Sequence, residues 1–371
     1  MKIIIIGGVA GGAGAAARLR RLSEEAEIIL FERGEYVSYA NCGLPYYIGG
    51  VISDRDRLFV QTVENFNARF NIDIRIKSEV IAIDPLKKTV TVKNLGTGEE
   101  YFENYDKLII STGAEPIKPP LAGIDNPKIF SLRNIPDTDM IKNYINQNNP
   151  QKAIVVGAGF IGLEMAENLH EAGLDITIVE KANQVMAPLD YPMAAIVHQQ
   201  LRSKGVNLIL EEGVSSFEET DNGLKVKLES GKSLTTDIVI LSIGVRPETK
   251  LARDAQLKIG SLGGISINEY MQTSDQDIYA LGDAVEVYNP VLGQYSLTPL
   301  AGPANKQARI VADNIIGGNK SKYKGTIGTS IAQVFDLTVA ATGASSKVLD
   351  RFNIKHITSY THESSNAGYY P

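Results

Sequence analysis

The sequence predicts an α/β protein with two units of the parallel βαβ type, and three observations predict it. One pattern runs over residues 3–32 and returns over residues 152–180: apolar strand, glycine-rich turn, helix, second strand, closing carboxylate. The apolar runs are short and rich in Ile and Val, as in strands buried on both faces. Further runs of this kind close on small residues at Ser111-Thr112-Gly113, at Gly244 and at Gly282-Asp283.

The first unit opens with Ile3-Ile4-Ile5-Ile6, a β-branched strand. Gly7-Gly8-Val9-Ala10-Gly11-Gly12 forms the turn, and Ala13 to Leu22, rich in Ala and Arg, forms the helix. Ile28-Ile29-Leu30-Phe31 is the second strand and ends in Glu32, about 20 residues past the last glycine. Glycines let the backbone approach a pyrophosphate, and the helix N-terminus offers unpaired N–H groups and partial positive charge. The carboxylate then accepts hydrogen bonds from a ribose. Val9 stands where the strict G-x-G-x-x-G spacing has glycine, so this unit alone also fits a purely structural turn.

The second unit has the complete spacing. Lys152 to Val156 is a strand, Gly157-Ala158-Gly159-Phe160-Ile161-Gly162 the turn and Leu163 to Glu171 the helix. Ile176-Thr177-Ile178-Val179 follows and ends in Glu180. Two copies in full strand–turn–helix–strand–acid context point to two dinucleotide sites. Glu180 repels a 2′-phosphate and pairs with a free ribose diol, which favours NADH over NADPH, although Lys181 softens that preference. Three later stretches tie the units together: Leu108 to Ala114, Thr235 to Pro247, and Asp277 to Asp283. The proline-rich link Pro116 to Pro120 suits a domain boundary.

Length and charge bound the rest. A chain of 371 residues accommodates two or three domains. A balance of 37 Lys+Arg against 43 Asp+Glu removes any bulk attraction to nucleic acid, so an anionic ligand must be held locally. One cysteine forbids an internal disulfide and fits a reducing, cytoplasmic setting, where a lone thiol is either buried filler or reactive. No apolar run approaches the ~18 residues of a membrane span. The four histidines, at 170, 198, 356 and 362, have no metal-ligand spacing, and His170 and His198 read as surface or helix-end residues.

Taken together, the motifs resemble the pyridine nucleotide-disulfide oxidoreductases, the two-fold flavoproteins of the glutathione-reductase type, along essentially the whole chain. The resemblance implies two Rossmann-like domains plus an incomplete α+β dimerisation domain. It places an FAD-binding domain at 1–118 and 248–320, an NAD(P)H-binding domain at 119–247, and the start of a C-terminal interface domain at 321–371. Gly282-Asp283 looks like the motif whose aspartate binds the flavin ribitol, and Ser111-Thr112-Gly113 like the interdomain turn. Better-known members carry two cysteines in a C-x-x-x-x-C helix, whereas here Ser38-Tyr39-Ala40-Asn41-Cys42-Gly43-Leu44-Pro45-Tyr46 has one. That run, with the Gly7–Gly12 turn, is similar to the single-cysteine branch and most similar to its coenzyme A-disulfide reductase group. Some members carry a rhodanese module beyond the interface domain, and family members act as homodimers. Tyr369 and Tyr370 resemble tyrosines that approach the partner's cysteine.

The resemblance implies FAD and NADH as cofactors, NADPH as a second option, and coenzyme A as substrate or product. Cofactor binding is expected at Gly7, Gly8, Ala10, Gly11, Gly12, Glu32, Arg33, Asn41 and Val80, and at Ser111, Thr112 and Gly113. It is expected further at Gly157, Gly159, Phe160, Ile161, Gly162, Glu164, Glu180, Gly244, Gly282, Asp283, Pro299 and Ala301. Phe160 reads equally as a cover over the flavin or as core. Cys42 is the expected catalytic residue, cycling through a mixed disulfide with its pKa lowered by a helix start and the flavin. Arg18 and Arg21 share a helix face, and Lys306 with Arg309 forms a second basic pair. Arg18, Arg21, Ser38, Asn41, Asn305 and Arg309 are the expected substrate-binding set, forked Arg donors suiting phosphates. Two other readings share these motifs: an NADH oxidase or peroxidase with a Cys42 sulfenic acid, and a non-catalytic flavoprotein redox sensor.

Overall fold

The computed structural model describes residues 1–221, 223–363 and 367–369. The apolar runs form two parallel sheets of five strands each. The first has the order Ile278–Ala280, Lys107–Ile110, Lys2–Ile6, Glu27–Phe31, Asp73–Arg75. The second has the order Asn207–Ile209, Asp175–Val179, Lys152–Val156, Ile238–Leu241, Ile129–Phe130. In each, the strand that leads into the glycine turn lies in the middle. Registers match as well: Ile3 faces Ile28, and Ala153 faces Ile176. Central placement explains the unbroken apolar runs, since Ile3, Ile4 and Ile5 are fully buried on a sheet covered on both sides.

The helices are α1 (Ala10–Leu22), α2 (Leu44–Ile48), α3 (Val63–Phe70), α4 (Ile135–Asn148), α5 (Phe160–Glu171), α6 (Tyr191–Ser203), α7 (Lys250–Asp254), α8 (Ala301–Gly317) and α9 (Ser346–Arg351). The α1 and α5 helices begin inside the glycine turns, each three residues earlier than composition alone suggests. Among the described residues, no helix is long and apolar enough to cross a membrane. Gly7 and Gly157 both adopt φ +98°, and a Cβ on either would meet a carbonyl oxygen of the neighbouring crossover, Ser111 at 2.2 Å or Ser242 at 2.5 Å. Glycine is required at both positions for one geometric reason. The α8 helix lies along α1, where Gly14 allows close approach: a Cβ there would stand 3.3 Å from Ala308 Cβ.

The chain crosses between the units at one place in both directions. Ala114–Pro116 pairs antiparallel with Val245–Pro247, next to the proline-rich link that marks the boundary in the sequence. After residue 328 a hairpin, Thr329–Val334 with Leu337–Thr342, and α9 pack on the second unit. Phe335, at the hairpin's turn, is buried, donates its N–H to Glu167 (2.9 Å) and sets its ring edge-on to His170. Asp190 accepts from both the backbone N–H and the hydroxyl of Ser346.

One expectation is corrected here. His198 is no surface residue: it lies buried on the inner face of α6 with Ala194, Val197 and Leu201, and its Nε2 accepts the Val185 N–H at 3.1 Å. Burial and nearby Arg202 hold it below the ordinary histidine pKa, consistent with an acceptor nitrogen. His170 does close α5, as expected of a helix-end residue, but packs under Phe335.

Candidate active site

Between the two glycine turns runs a cleft of about 1680 Å³. Its walls gather most of the residues singled out from the sequence. From the first unit come Gly7, Gly8, Ala10, Gly11, Glu32, Arg33, Val80, Ser111, Thr112 and Gly113. From the second come Gly159, Phe160, Ile161, Glu164 and Gly244, and from the return to the first Gly282, Asp283, Pro299 and Ala301. Cys42, Ser38 and Asn41 lie on the same wall, with Arg18, Arg21, Asn305 and Arg309. Four expected residues are not brought to it: Gly12, Gly157, Gly162 and Glu180. The three glycines sit behind the surface, where they permit helix–strand contact; a Cβ on Gly12 or Gly162 would lie 1.8 or 2.0 Å from the Gly7 or Gly157 oxygen.

The two units repeat one electrostatic arrangement. Glu32 accepts the N–H groups of Gly8 and Gly34, each at 2.8 Å, and Glu180 accepts those of Ala158 and Ala182, each at 2.7 Å. Each carboxylate thereby fixes the turn opposite its own strand. The helices that follow start without a side-chain cap and without an acidic residue in the first turn; α8, whose start also lines the cleft, does the same. By contrast, α4 carries a complete capping box from Asn134 and Asp137. Unpaired N–H groups at three helix starts facing one cleft suit anionic groups such as a dinucleotide's phosphates. Asp283 adds a carboxyl that burial pushes up to about 6, with Arg133 acting in the opposite sense. A carboxyl desolvated this far fits hydroxyl donors of the kind a ribitol chain provides.

Cys42 sits in a single 3₁₀ turn, Asn41–Gly43, that runs straight into α2. Ser38 precedes it at φ +49°, a left-handed conformation unusual for a non-glycine residue, and its N–H donates to Gly8 at 2.9 Å. The thiol is open to the cleft, yet protein crowds it enough that desolvation, and after it the Glu164 carboxylate, raise its pKa. The protein's own groups thus act against the expected lowering, which included a bound flavin. Glu164 is itself pushed up to about 7, by burial and then by Glu167, and Tyr46 to about 12 by burial and both carboxylates. Ser38 and Asn41 flank the thiol without a hydrogen bond to it.

Two of the basic residues on the wall, Arg18 and Arg21, already have partners within the protein. Arg18 donates Nε to Asp313 at 2.8 Å and its Nη2 reaches the same oxygen at 2.8 Å. Arg21 lies 5.4 Å over the Phe70 ring, with Arg69 5.2 Å from the same ring. Arg69 and Phe70 line the cleft but were not singled out; nothing in the sequence joins α3 to α1. Two more were missed for the same reason. Arg133 and Glu248 line the middle of the cleft beside the crossover strands, and Glu248 accepts Arg33 at 2.7 and 3.0 Å and Arg133 at 2.7 Å. Hairpin residues Thr329, Ser330 and Ile331 also reach the wall. Tyr369 is exposed, and Tyr370 lies outside the described residues.

Known proteins with similar sequence or structure fit this geometry. The profile of the pyridine nucleotide-disulphide oxidoreductase family matches residues 1–308. A coenzyme A disulfide reductase of Staphylococcus aureus (strain JH9) is 36% identical over 370 residues, spanning 100% of this chain and 82% of its own length. The crystal structure of reduced CoADR-RHD from Bacillus anthracis superposes with a TM-score of 0.97 at 55% identity; it covers 100% of this chain, which spans 66% of that one. An NAD-dependent persulfide reductase from A. fulgidus gives a TM-score of 0.92 at 38% identity, covering 95% of this chain and 65% of its own.

Proposed function

The chain belongs to the pyridine nucleotide-disulphide oxidoreductase family, and from that premise we propose that it reduces coenzyme A disulfide or a related small disulfide or persulfide through Cys42. The observation that carries the reading is the position of Cys42: one exposed thiol on the wall of a cleft that joins both glycine turns to a cluster of arginines. On this reading the first glycine turn, with Glu32, Ser111–Gly113 and Asp283, holds FAD, and the second, with Phe160, Glu164 and Glu180, holds NADH. FAD, when bound, supplies the route by which an electron pair from NADH reaches a disulfide at Cys42.

Within that site the chain's residues have separate tasks. Cys42 loses its proton and attacks one sulfur of R–S–S–R; the S–S bond breaks, R–S⁻ leaves, and Cys42–S–S–R remains. Two electrons and two protons then break the Cys42–S–S–R bond, return Cys42 to the thiol state and release the second R–SH. In the protein alone, burial and then Glu164 oppose ionisation of the thiol, and a bound flavin would favour it. Arg18, Arg21 and Arg309 line the cleft from the packed helices α1 and α8, and suit a thiol carrier that ends in phosphates. Arg18 must exchange Asp313 for that ligand, so its contribution is the difference between two charged contacts. The boundaries 1–118 with 248–320, and 119–247, remain our proposal for the two cofactor domains, and a homodimer is proposed from the family. The lone cysteine fits a reducing compartment.

Mass spectrometry of the purified, unreduced protein tests the reading. A coenzyme A-sized adduct on Cys42, released by a thiol reductant, supports it. Oxygen additions on Cys42 with no thiol adduct overturn it in favour of oxidase or peroxidase chemistry.

A further inference from the structure

The segment that carries Cys42 lies in sequence within the first unit, and Val37 at its start packs in that unit's core, yet most of its other buried side chains are part of the second unit's core. Leu44, Ile48 and Leu58 are at most 1% exposed, and they pack with Leu132, Ile135 and Leu163. Its two ends close on each other: Tyr36 and Phe59 stack at 5.2 Å, and the Ala40 N–H donates to Leu58 at 2.8 Å.

One face of α4 grips this closed segment at two points three residues apart. Asp139 receives the Arg55 fork, Nε at 2.9 Å and Nη2 at 2.6 Å. The same guanidinium donates to the Tyr36 hydroxyl at 3.0 Å and lies 5.0 and 5.3 Å over the rings of Tyr36 and Phe59. Lys142 Nζ donates to the carbonyls of Tyr47 and Ile48, at 3.0 and 2.8 Å, and lies 5.4 Å over the Tyr47 ring. Those carbonyls end α2; that of Tyr47 also accepts the Gly50 N–H at 3.2 Å, and the ammonium adds a charged donor to both at the end of a short helix. From the other side, Gly49 presses on Asn168 of α5, where a Cβ would meet Oδ1 at 2.5 Å.

We propose that α4, through Asp139 and Lys142, positions Cys42, so that the reactive thiol is fixed to the second unit as well as to the first. Neither residue lines the cleft or touches the sulfur; both act through the segment 36–60. The proposal rests on the reading of Cys42 as the reactive thiol.

The test is the pH profile of Cys42 alkylation by iodoacetamide in the FAD-loaded full chain, for Asp139→Asn, Lys142→Met and Lys142→Arg. Loosening the segment relieves the desolvation that holds the thiol's titration high. In Asp139→Asn and Lys142→Met the midpoint therefore falls, and alkylation at pH 7 speeds up by about threefold or more. Lys142→Arg keeps the donors and restores the parent profile. FAD content and flavin reduction by NADH stay at parent values in all three. Parent-like alkylation in both Asp139→Asn and Lys142→Met overturns the proposal. The two failures are separable: disulfide turnover that survives Cys42→Ser defeats the functional reading while leaving the alkylation result standing.

Discussion

Gly162→Ala separates the two nucleotide sites in a way that can be worked out from distances. A Cβ at Gly162 would lie 2.0 Å from the Gly157 oxygen and 2.7 Å from Ser242 Oγ. Carbon–oxygen contacts settle at about 3.3 Å or more, so the start of α5 must withdraw by about 1.3 Å from the turn. Overpacking of this kind costs about 1–3 kcal/mol, which corresponds to a loss of about 5–150-fold in NADH affinity if it falls on the bound state. The first unit is untouched, so FAD content stays at parent level. Anaerobic titration of the flavin absorbance with NADH reads the affinity, and the bound flavin spectrum reads the other site. Gly12→Ala is the mirror experiment: its Cβ would lie 1.8 Å from the Gly7 oxygen, and FAD is lost from the purified protein. A Gly162→Ala protein that keeps NADH affinity within about twofold, or that loses FAD instead, refutes the assignment of the two turns.

Other outcomes follow from the same geometry. The parent enzyme prefers NADH, and Glu180→Ser narrows the NADH/NADPH ratio of kcat/KM; better use of NADPH by the parent shows that Glu180 has been misread. Glu164 titrates near 7, so above that pH its charge opposes the Cys42 thiolate. Glu164→Gln removes the charge, lowers the thiol's midpoint and accelerates alkylation at pH 8; a midpoint that rises or stays contradicts the sign. Glu248→Gln leaves Arg33 and Arg133 without their shared carboxylate at the crossover and lowers stability by about 1–2 kcal/mol, read from denaturant midpoints.

The sheets were legible because parallel strands buried on both faces leave continuous apolar runs, as at Ile3–Ile6 and Lys152–Val156. The turns were legible because Gly7 and Gly157 sit where a side chain would strike a neighbouring carbonyl. Residues that depend on packing between distant elements were not. Arg21 meets the Phe70 ring only because α3 folds against α1, and Glu248 meets Arg33 across 215 positions. The protein's own effect on the Cys42 pKa was hidden for a related reason. Its direction depends first on burial and then on Glu164, far along the chain, neither of which its own flanking residues reveal. His198 looked like a surface residue because one polar position on an apolar helix face does not announce its acceptor, the Val185 N–H.

Cys42→Ser tests the central claim most directly. The variant is predicted to bind FAD, to be reduced by NADH at the parent rate, and to have no turnover of coenzyme A disulfide. Full disulfide turnover without the Cys42 thiol would contradict the account.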